Sequence, residues 1–274
     1  MTNLEPMQTD YERAAKLTLA RMSEQRPLVH HVTNWITAND VAIVTLAYGA
    51  LPMMAIDPEE VAEVAASAQA LALNLGTLTR STLEVMLAAG RVAAERGVPI
   101  VLDPVGAGAT TFRTAAAQRL LAELPLTVLR GNRGEIGALV DRGAVRGVEA
   151  IGDEDACWVA QEATRRFGIV VAVTGPVDVV VDGRTVREVR NGDPLLAAIV
   201  GSGCMATAAV AAMLAVGGDP GVQTALALAT FGLAAERAAA GSRGPGTFRP
   251  RLLDAIAALR TQGVDGLRIT DRAA

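Results

Sequence analysis

One alternation constrains this chain more than anything else in it. After a first strand-like stretch at Leu28–Val32, short apolar runs recur at Pro52–Ile56, Ala70–Leu75, Val98–Leu102, Leu126–Leu129 and Ile169–Val173. Between them lie helical stretches at 38–49, 58–68, 80–96, 112–123, 133–142 and 153–167. Strands and helices alternating at these lengths build βαβ units and an α/β fold with a largely parallel central sheet. Parallel strands are covered on both faces, which is why the runs are apolar without a break. After Thr174-Gly175 the pattern changes. Asp182-Gly183 joins two strand-like runs, a hairpin signal, and the C-terminal third reads as helices at 203–216, 220–240 and 249–261. A further amphipathic helix is expected at 10–25, and Gly49 suits the left-handed position that closes a helix. With no repeat, low-complexity tract or linker, residues 1–274 read as one domain.

Composition narrows the function. Hydrophobic residues make up 51% of the 274 and aromatics only 3%, so the core must be built from Ala, Val, Leu and Ile. A net charge of −4 argues against a nucleic-acid surface. Cys157 and Cys204 are far apart and in no metal-type spacing, which fits a reducing cytoplasm. No unbroken apolar run is long enough to span a membrane. Lys16 is the only lysine, so a phosphate-binding loop that depends on Lys is excluded. If the chain handles phosphate, it must use Arg, a metal ion and helix N-termini.

The sequence offers such parts. Gly201-Ser202-Gly203-Cys204 stands where a polar loop turns into a long apolar helix. Glycine lets the backbone approach a ligand, and the first N–H groups of a helix favour an anion. The helix dipole there is expected to lower the Cys204 thiol pKa; the plainer reading is a helix start with a small buried cysteine. Asp103 ends a strand before a glycine-rich turn and is either a Mg²⁺-side acid or a turn cap. Arg130 and Glu135 follow the next strand; Arg130 suits a phosphate, while Glu135 suits either a metal or the first turn of a helix. Thr174-Gly175 offers a hydroxyl and bare backbone, or just a turn. His30 and His31 point to opposite faces of a strand and read as structural, leaving Asn34 the better small-molecule contact. Met53-Met54 closes a strand and reads equally as core packing. Cys157 lies within a helix and reads as structural. In open α/β sheets ligands bind beyond the carboxyl ends of the strands, so the polar stretches that follow strands should converge there.

These segments, PLVHHVTNWIT, GALPMMA, LNLGTLT, VPIVLDPVGAGATTFRT, LRGNRGEI, VAVTGPVDVVVDG, VRNGDPLL, VGSGCMATA and GPGTF, occur in an order that resembles the hydroxyethylthiazole kinase family of the ribokinase-like superfamily. The resemblance covers roughly residues 27–250. It implies a three-layer α/β/α domain that phosphorylates 4-methyl-5-(2-hydroxyethyl)thiazole with ATP and Mg²⁺ in thiamine biosynthesis or salvage. It also implies a homotrimer with its sites at subunit interfaces. By resemblance, Asn34, Met54 and Gly201 contact the thiazole, and Arg130, Thr174 and Gly203 the ATP phosphates. Asp103 and Glu135 serve the metal, and Cys204 is the catalytic group. The chain departs from the family's usual residues at 39–43, at Trp35 and Ile36, and at Val200, where Thr is common. The alternatives are a kinase of another heterocyclic alcohol such as hydroxymethylpyrimidine, an ADP-dependent repair hydratase of the same fold, and a non-catalytic thiazole or nucleotide-binding regulator. Cys204, where the first two normally carry Asp, argues against them; the set Asp103, Glu135 and Arg130 argues against the third.

Overall fold

The structure is a computed structural model that describes residues 4–140, 144–146, 149–151 and 155–274. The chain opens with α1 (Leu4–Gln25), β1 (Leu28–Val32), α2 (Ala38–Tyr48), β2 (Leu51–Met53), α3 (Val61–Ser67), β3 (Ala70–Asn74) and α4 (Arg80–Glu95). It continues with β4 (Ile100–Asp103), α5 (Thr111–Glu123), β5 (Val128–Asn132), α6 (Arg133–Leu139), the small pair β6 (Ala144–Arg146) and β7 (Glu149–Ile151), and α7 (Ala156–Phe167). The remainder is β8 (Val170–Thr174), β9 (Asp178–Val181), β10 (Thr185–Val189), α8 (Ser202–Leu214), α9 (Pro220–Ala239), α10 (Pro245–Gln262) and β11 (Ile269–Ala273).

Nine strands form one sheet in the order β11-β10-β9-β8-β5-β4-β3-β1-β2. The six from β2 to β8 run parallel. The three beyond β8 are antiparallel, each to its neighbour. The sequence of β3, Ala-Leu-Ala-Leu-Asn, shows how the layers arise. Successive side chains of a strand point to opposite faces. Ala70 and Ala72 join the core with Met205, Ala208 and Ala209 of α8; Leu71 and Leu73 join the core with Met86 of α4 and Leu120 of α5. Small residues on one face let α8 lie close to the sheet, while branched ones on the other fill the space beneath α3 to α7. Helix α8 is buried over every residue from Met205 to Leu214. A helix that is apolar all round is a buried one, and this burial brings its N-terminus to the sheet edge.

The expected strand–helix alternation is present, with local corrections. The second strand is Leu51–Met53, not Pro52–Ile56, because only these residues pair with β1. The helix expected at 133–142 ends at Leu139, and that expected at 153–167 begins at Ala156; residues 141, 142, 153 and 154 lie outside the described ones. The last helix begins at Pro245 rather than 249, Pro245 being tolerated in a first helical turn where its missing N–H has no intrahelical partner. Gly49 does close α2 in the left-handed region, at φ 103°. Strand β11 was not foreseen. It pairs with β10 from Ile269 to Ala273 and covers what would otherwise be an open hairpin edge.

Candidate active site

The carboxyl ends of the parallel strands carry polar residues in register. Asn74 of β3 stands opposite Asp103 of β4, and Asn132 of β5 opposite Thr174 of β8. The N-terminus of α8 arrives over this edge. Gly201 has φ 86°, and a Cβ there would sit 2.3 Å from the Thr37 methyl. A Cβ on Gly203 would lie 2.7 Å from Arg130 Nη1. Gly201 is therefore demanded by its φ and by the approach of Thr37, and Gly203 lets the Arg130 guanidinium lie against the helix. Two sources of positive potential thus meet at one point.

Arg130 is 8% exposed. Its Nη2 donates to Thr174 Oγ1 at 2.7 Å, its Nη1 stands 3.7 Å from Asp103 Oδ2, and its buried Nε has no protein partner. Asp103 is fully enclosed, and its Oδ2 accepts from Asn74 Nδ2 at 2.8 Å and from Thr207 Oγ1 at 2.9 Å. Burial raises its carboxyl above the usual range; Arg130 and the two donors pull the other way. Glu135 closes a capping box at the start of α6. Its Oε2 accepts from Asn132 N at 2.9 Å while Asn132 Oδ1 accepts from Glu135 N at 2.9 Å. Its Oε1 accepts from Gly106 N at 2.8 Å. Both readings open for Glu135 thus meet in one side chain, a helix cap that also faces the site. Burial and the charge of Asp103 push its carboxyl up to about 7.

Cys204 Sγ accepts from Asn74 Nδ2 at 3.3 Å and from Asn34 Nδ2 at 3.5 Å. The expected lowering of its pKa is overturned. Burial, and then the charge of Asp103, push the thiol up, against the lowering by Thr37, Asn74 and Arg130. Asn34 is 4% exposed, with its Oδ1 accepting from the backbone N–H groups of Ile36 and Thr37 at 3.0 and 3.1 Å.

Asn34, Asp103, Arg130, Glu135, Thr174, Gly201, Gly203 and Cys204 are thus gathered at one edge. Met54 follows β2 at the sheet margin, one strand from Asn34, and packs partly buried on the core. His30 and His31 are buried, in line with a structural role, although His30 Nδ1 has no protein partner. His30 Nε2 pairs with Ala55 O at 2.8 Å and His31 Nε2 with Thr45 Oγ1 at 3.0 Å. Cys157 is buried in α7 and accepts from Arg272 at 2.7 Å. Four residues escaped the sequence reading: Thr37, Asn74, Asp178 and Thr207. Asn74 had a signal, being the polar residue that ends an apolar strand. Asp178 accepts from Gly175 N at 3.0 Å, and burial pushes its carboxyl up to about 6. Beside the site stand exposed apolar side chains, Trp35 at 74%, Ile36 at 68% and Val200 at 74%. Among the described residues no helix is long and apolar enough to cross a membrane.

A glycine-opened helix start and a buried Arg meet at the carboxyl edge of an open sheet, in the fold of a ribokinase-like phosphotransferase. The same fold is seen in the pyridoxal kinase of Staphylococcus aureus (TM-score 0.63, 18% identity, covering 90% of this chain and 98% of that one). The model of the hydroxyethylthiazole kinase family matches residues 19–262, and the chain belongs to that family. A hydroxyethylthiazole kinase of Methanoculleus marisnigri is 52% identical over 257 residues, which are 93% of this chain and 92% of the relative. The solved hydroxyethylthiazole kinase of Pyrococcus horikoshii has a TM-score of 0.85 and 39% identity, covering 95% of this chain and 99% of that one.

Proposed function

We propose that this chain catalyses phosphoryl transfer from ATP to the hydroxyl of 4-methyl-5-(2-hydroxyethyl)thiazole, at the carboxyl edge between β3, β4, β5 and the start of α8. The observation that carries this placement is the Arg130 guanidinium packed against Gly203, with a buried Nε left for an incoming oxygen. Phosphoryl transfer is mostly positioning and charge stabilisation. Arg130, Thr174 and the backbone at Gly203 bind the ATP phosphates. Asn34, Met54 and Gly201 bind the thiazole alcohol, and Cys204 receives its hydroxyl. The alcohol oxygen attacks the γ-phosphorus, the bond from phosphorus to the bridging oxygen of ADP breaks, and the hydroxyl proton passes to an oxygen of the transferred phosphate. Burial keeps the proton on the sulfur, so the thiol holds the hydroxyl in place at the helix start rather than taking its proton.

Asp103 and Glu135 fit a Mg²⁺ site. Mg²⁺ takes one or two carboxylates together with waters and substrate phosphates. Here burial raises both carboxyls, and the charge of Asp103 raises that of Glu135 further, a cost that a bound cation would relieve. Bound there, Mg²⁺ would neutralise charge on the transferring group.

The exposed apolar rim of Trp35, Ile36 and Val200 supports a homotrimer that covers it, with the site at the subunit boundary. The chain works as a single cytoplasmic domain, with neither nucleic acid nor membrane among its partners; its acidic net charge weighs against nucleic acid, and its two separate cysteines fit a reducing compartment.

The test is ADP release from ATP and Mg²⁺, with hydroxyethylthiazole and with hydroxymethylpyrimidine in parallel. Release that depends on the thiazole alone is expected. Release with the pyrimidine alone would move the chain to the other alcohol. No release with either, but thermal stabilisation by the thiazole, would make it a binder. Replacing Cys204 by Ala should keep ATP binding and lose rate; an unchanged rate at saturating substrate would remove the thiol from the chemistry.

A further inference from the structure

Two carboxamides lie at the centre of the site, and the backbone fixes which way each one faces. The N–H of Gly76 donates to Asn74 Oδ1 at 2.9 Å. A backbone N–H can only donate, so that atom is the oxygen and the amide NH₂ of Asn74 faces the other way. There it donates to Asp103 Oδ2 at 2.8 Å and to Cys204 Sγ at 3.3 Å. The same reasoning fixes Asn34, whose oxygen takes the N–H groups of Ile36 and Thr37. Its NH₂ therefore faces Asn74 Oδ1 at 2.9 Å, Thr37 Oγ1 at 2.8 Å and Cys204 Sγ. Asn74 thus uses two acceptor and two donor positions at 3% exposure, a buried amide with nothing left unpaired.

The partners of Asn74 come from separate parts of the fold. Asp103 ends β4, Cys204 opens α8, Asn34 follows β1, and Gly76 opens the loop after β3. Only β3, which lies between β1 and β4, reaches all of them. Without N–H donors between them, a carboxylate and a sulfur would present lone pairs to each other. The approach of Asn34 also depends on this loop, for a Cβ on Gly76 would stand 2.7 Å from Asn34 Cβ.

We infer that Asn74 is a positioning residue of the transfer step: its carboxamide sets the sulfur of Cys204, on the alcohol side, at a fixed place relative to the Asp103 carboxylate, on the phosphate side. It acts through these two groups and does not itself react. The inference rests on the placement of the reaction at this edge, given above. Residues that orient reacting groups contribute by holding a productive geometry.

The experiment compares wild type, Asn74→Ala, Cys204→Ala and the double variant by steady-state kinetics for both substrates. Asn74→Ala is expected to lower kcat by about 10–100-fold, as loss of an orienting partner does, with both KM values within about threefold. In the Cys204→Ala background the same replacement should cost several-fold less, since one of the groups it positions is gone. Asn74→Asp keeps the size and the acceptors but loses both donors, and is expected to lose at least as much kcat; it serves if the Ala variant does not fold. A second reading needs no turnover: in a Cys157→Ser background, Asn74→Ala should change the rate of Cys204 alkylation by iodoacetamide several-fold at fixed pH. An unchanged kcat in a folded Asn74 variant overturns the inference. So does a loss carried wholly by KM, an equal loss with and without Cys204, or an unaltered alkylation rate. The single Cys204→Ala variant reports on the thiol and the single Asn74→Ala variant on the carboxamide, so either reading can fail without the other.

Discussion

Two buried clusters in this molecule each pair an arginine with an aspartate, and they are built to opposite ends. At the hairpin side, Arg187 Nη1 meets Asp182 Oδ2 at 2.6 Å, and its Nε donates to Tyr11 Oη at 3.2 Å. Tyr11 in turn donates to the Asp271 carboxylate at 2.7 and 2.8 Å, tying α1 to β10 and β11. Burial and its bond to Asp271 push the Tyr11 hydroxyl up to about 12, so it stays a donor at any physiological pH. Burial raises the Asp182 carboxyl, but Arg187 and two backbone N–H groups hold it below its ordinary value. At the carboxyl edge, Arg130 stands 3.7 Å from Asp103, keeps an unpartnered Nε and packs against Gly203, where a Cβ would stand only 2.7 Å from its Nη1. The first cluster is closed on itself. The second is left open, and its acids remain costly to ionise. Satisfied networks hold elements together; an unsatisfied one has room for a ligand.

The widest separation should come from removing each arginine. Arg130→Ala is expected to lower kcat/KM by about 10²–10³-fold, the scale of losing one preorganised donor to developing charge, while the protein still folds. Arg187→Ala should instead cost about 3 kcal/mol of stability, as breaking a buried pair does, and leave kcat of the folded fraction within about twofold of wild type. Denaturant unfolding and steady-state kinetics on both variants check this; equal losses in both assays for both variants would erase the distinction.

Gly203→Ala sharpens it. The added methyl would meet only the guanidinium end of Arg130 rather than backbone, so unfolding should change little, while kcat/KM falls about tenfold as the guanidinium leaves the helix start. A stability loss in place of the rate loss would make Gly203 a packing glycine.

The smallest effect is a pH dependence. The Asp178 carboxyl is pushed up to about 6 by burial, against Gly175 N–H and Arg130. The folded chain then binds this proton more tightly than the unfolded one. Its contribution is fully present below about pH 4, where an unfolded carboxylate titrates, and is lost as pH rises through about 6. Asp178→Asn keeps the oxygen that accepts from Gly175 and should raise Tm by about 2 °C at pH 8, with no gain at pH 4. A gain that is the same at both pH values would assign the effect to something other than this charge.

Much of this was legible along the chain. The period of the apolar runs marked the parallel strands, Asp182-Gly183 marked the hairpin, and the strand ends and glycine-opened helix marked Asp103, Arg130, Thr174 and Cys204 as one edge. Such features are local: strand pairing, turn chemistry and helix starts are written in a few neighbouring residues. Helix α10 was read four residues late because Gly244-Pro245-Gly246 looks like loop, and β11 was missed because ITDRA carries charges that suit an edge strand. The motif resemblance also pointed to the family.

Burial and partners belong to the tertiary structure alone. The bond from Asn34 to Cys204 spans 170 positions and that from Asn74 to Cys204 spans 130, so no local pattern marks Asn74 as their common neighbour. The direction of the thiol shift was likewise decided by the fold: a helix start lowers a pKa locally, but desolvation and the charge of Asp103 come from everything packed around it. The sequence by itself determined which elements form and which polar residues end them. Only the assembled sheet, with α8 buried against it, decided which of those residues touch, because hydrogen bonding and desolvation are set by neighbours in space rather than by neighbours in the chain.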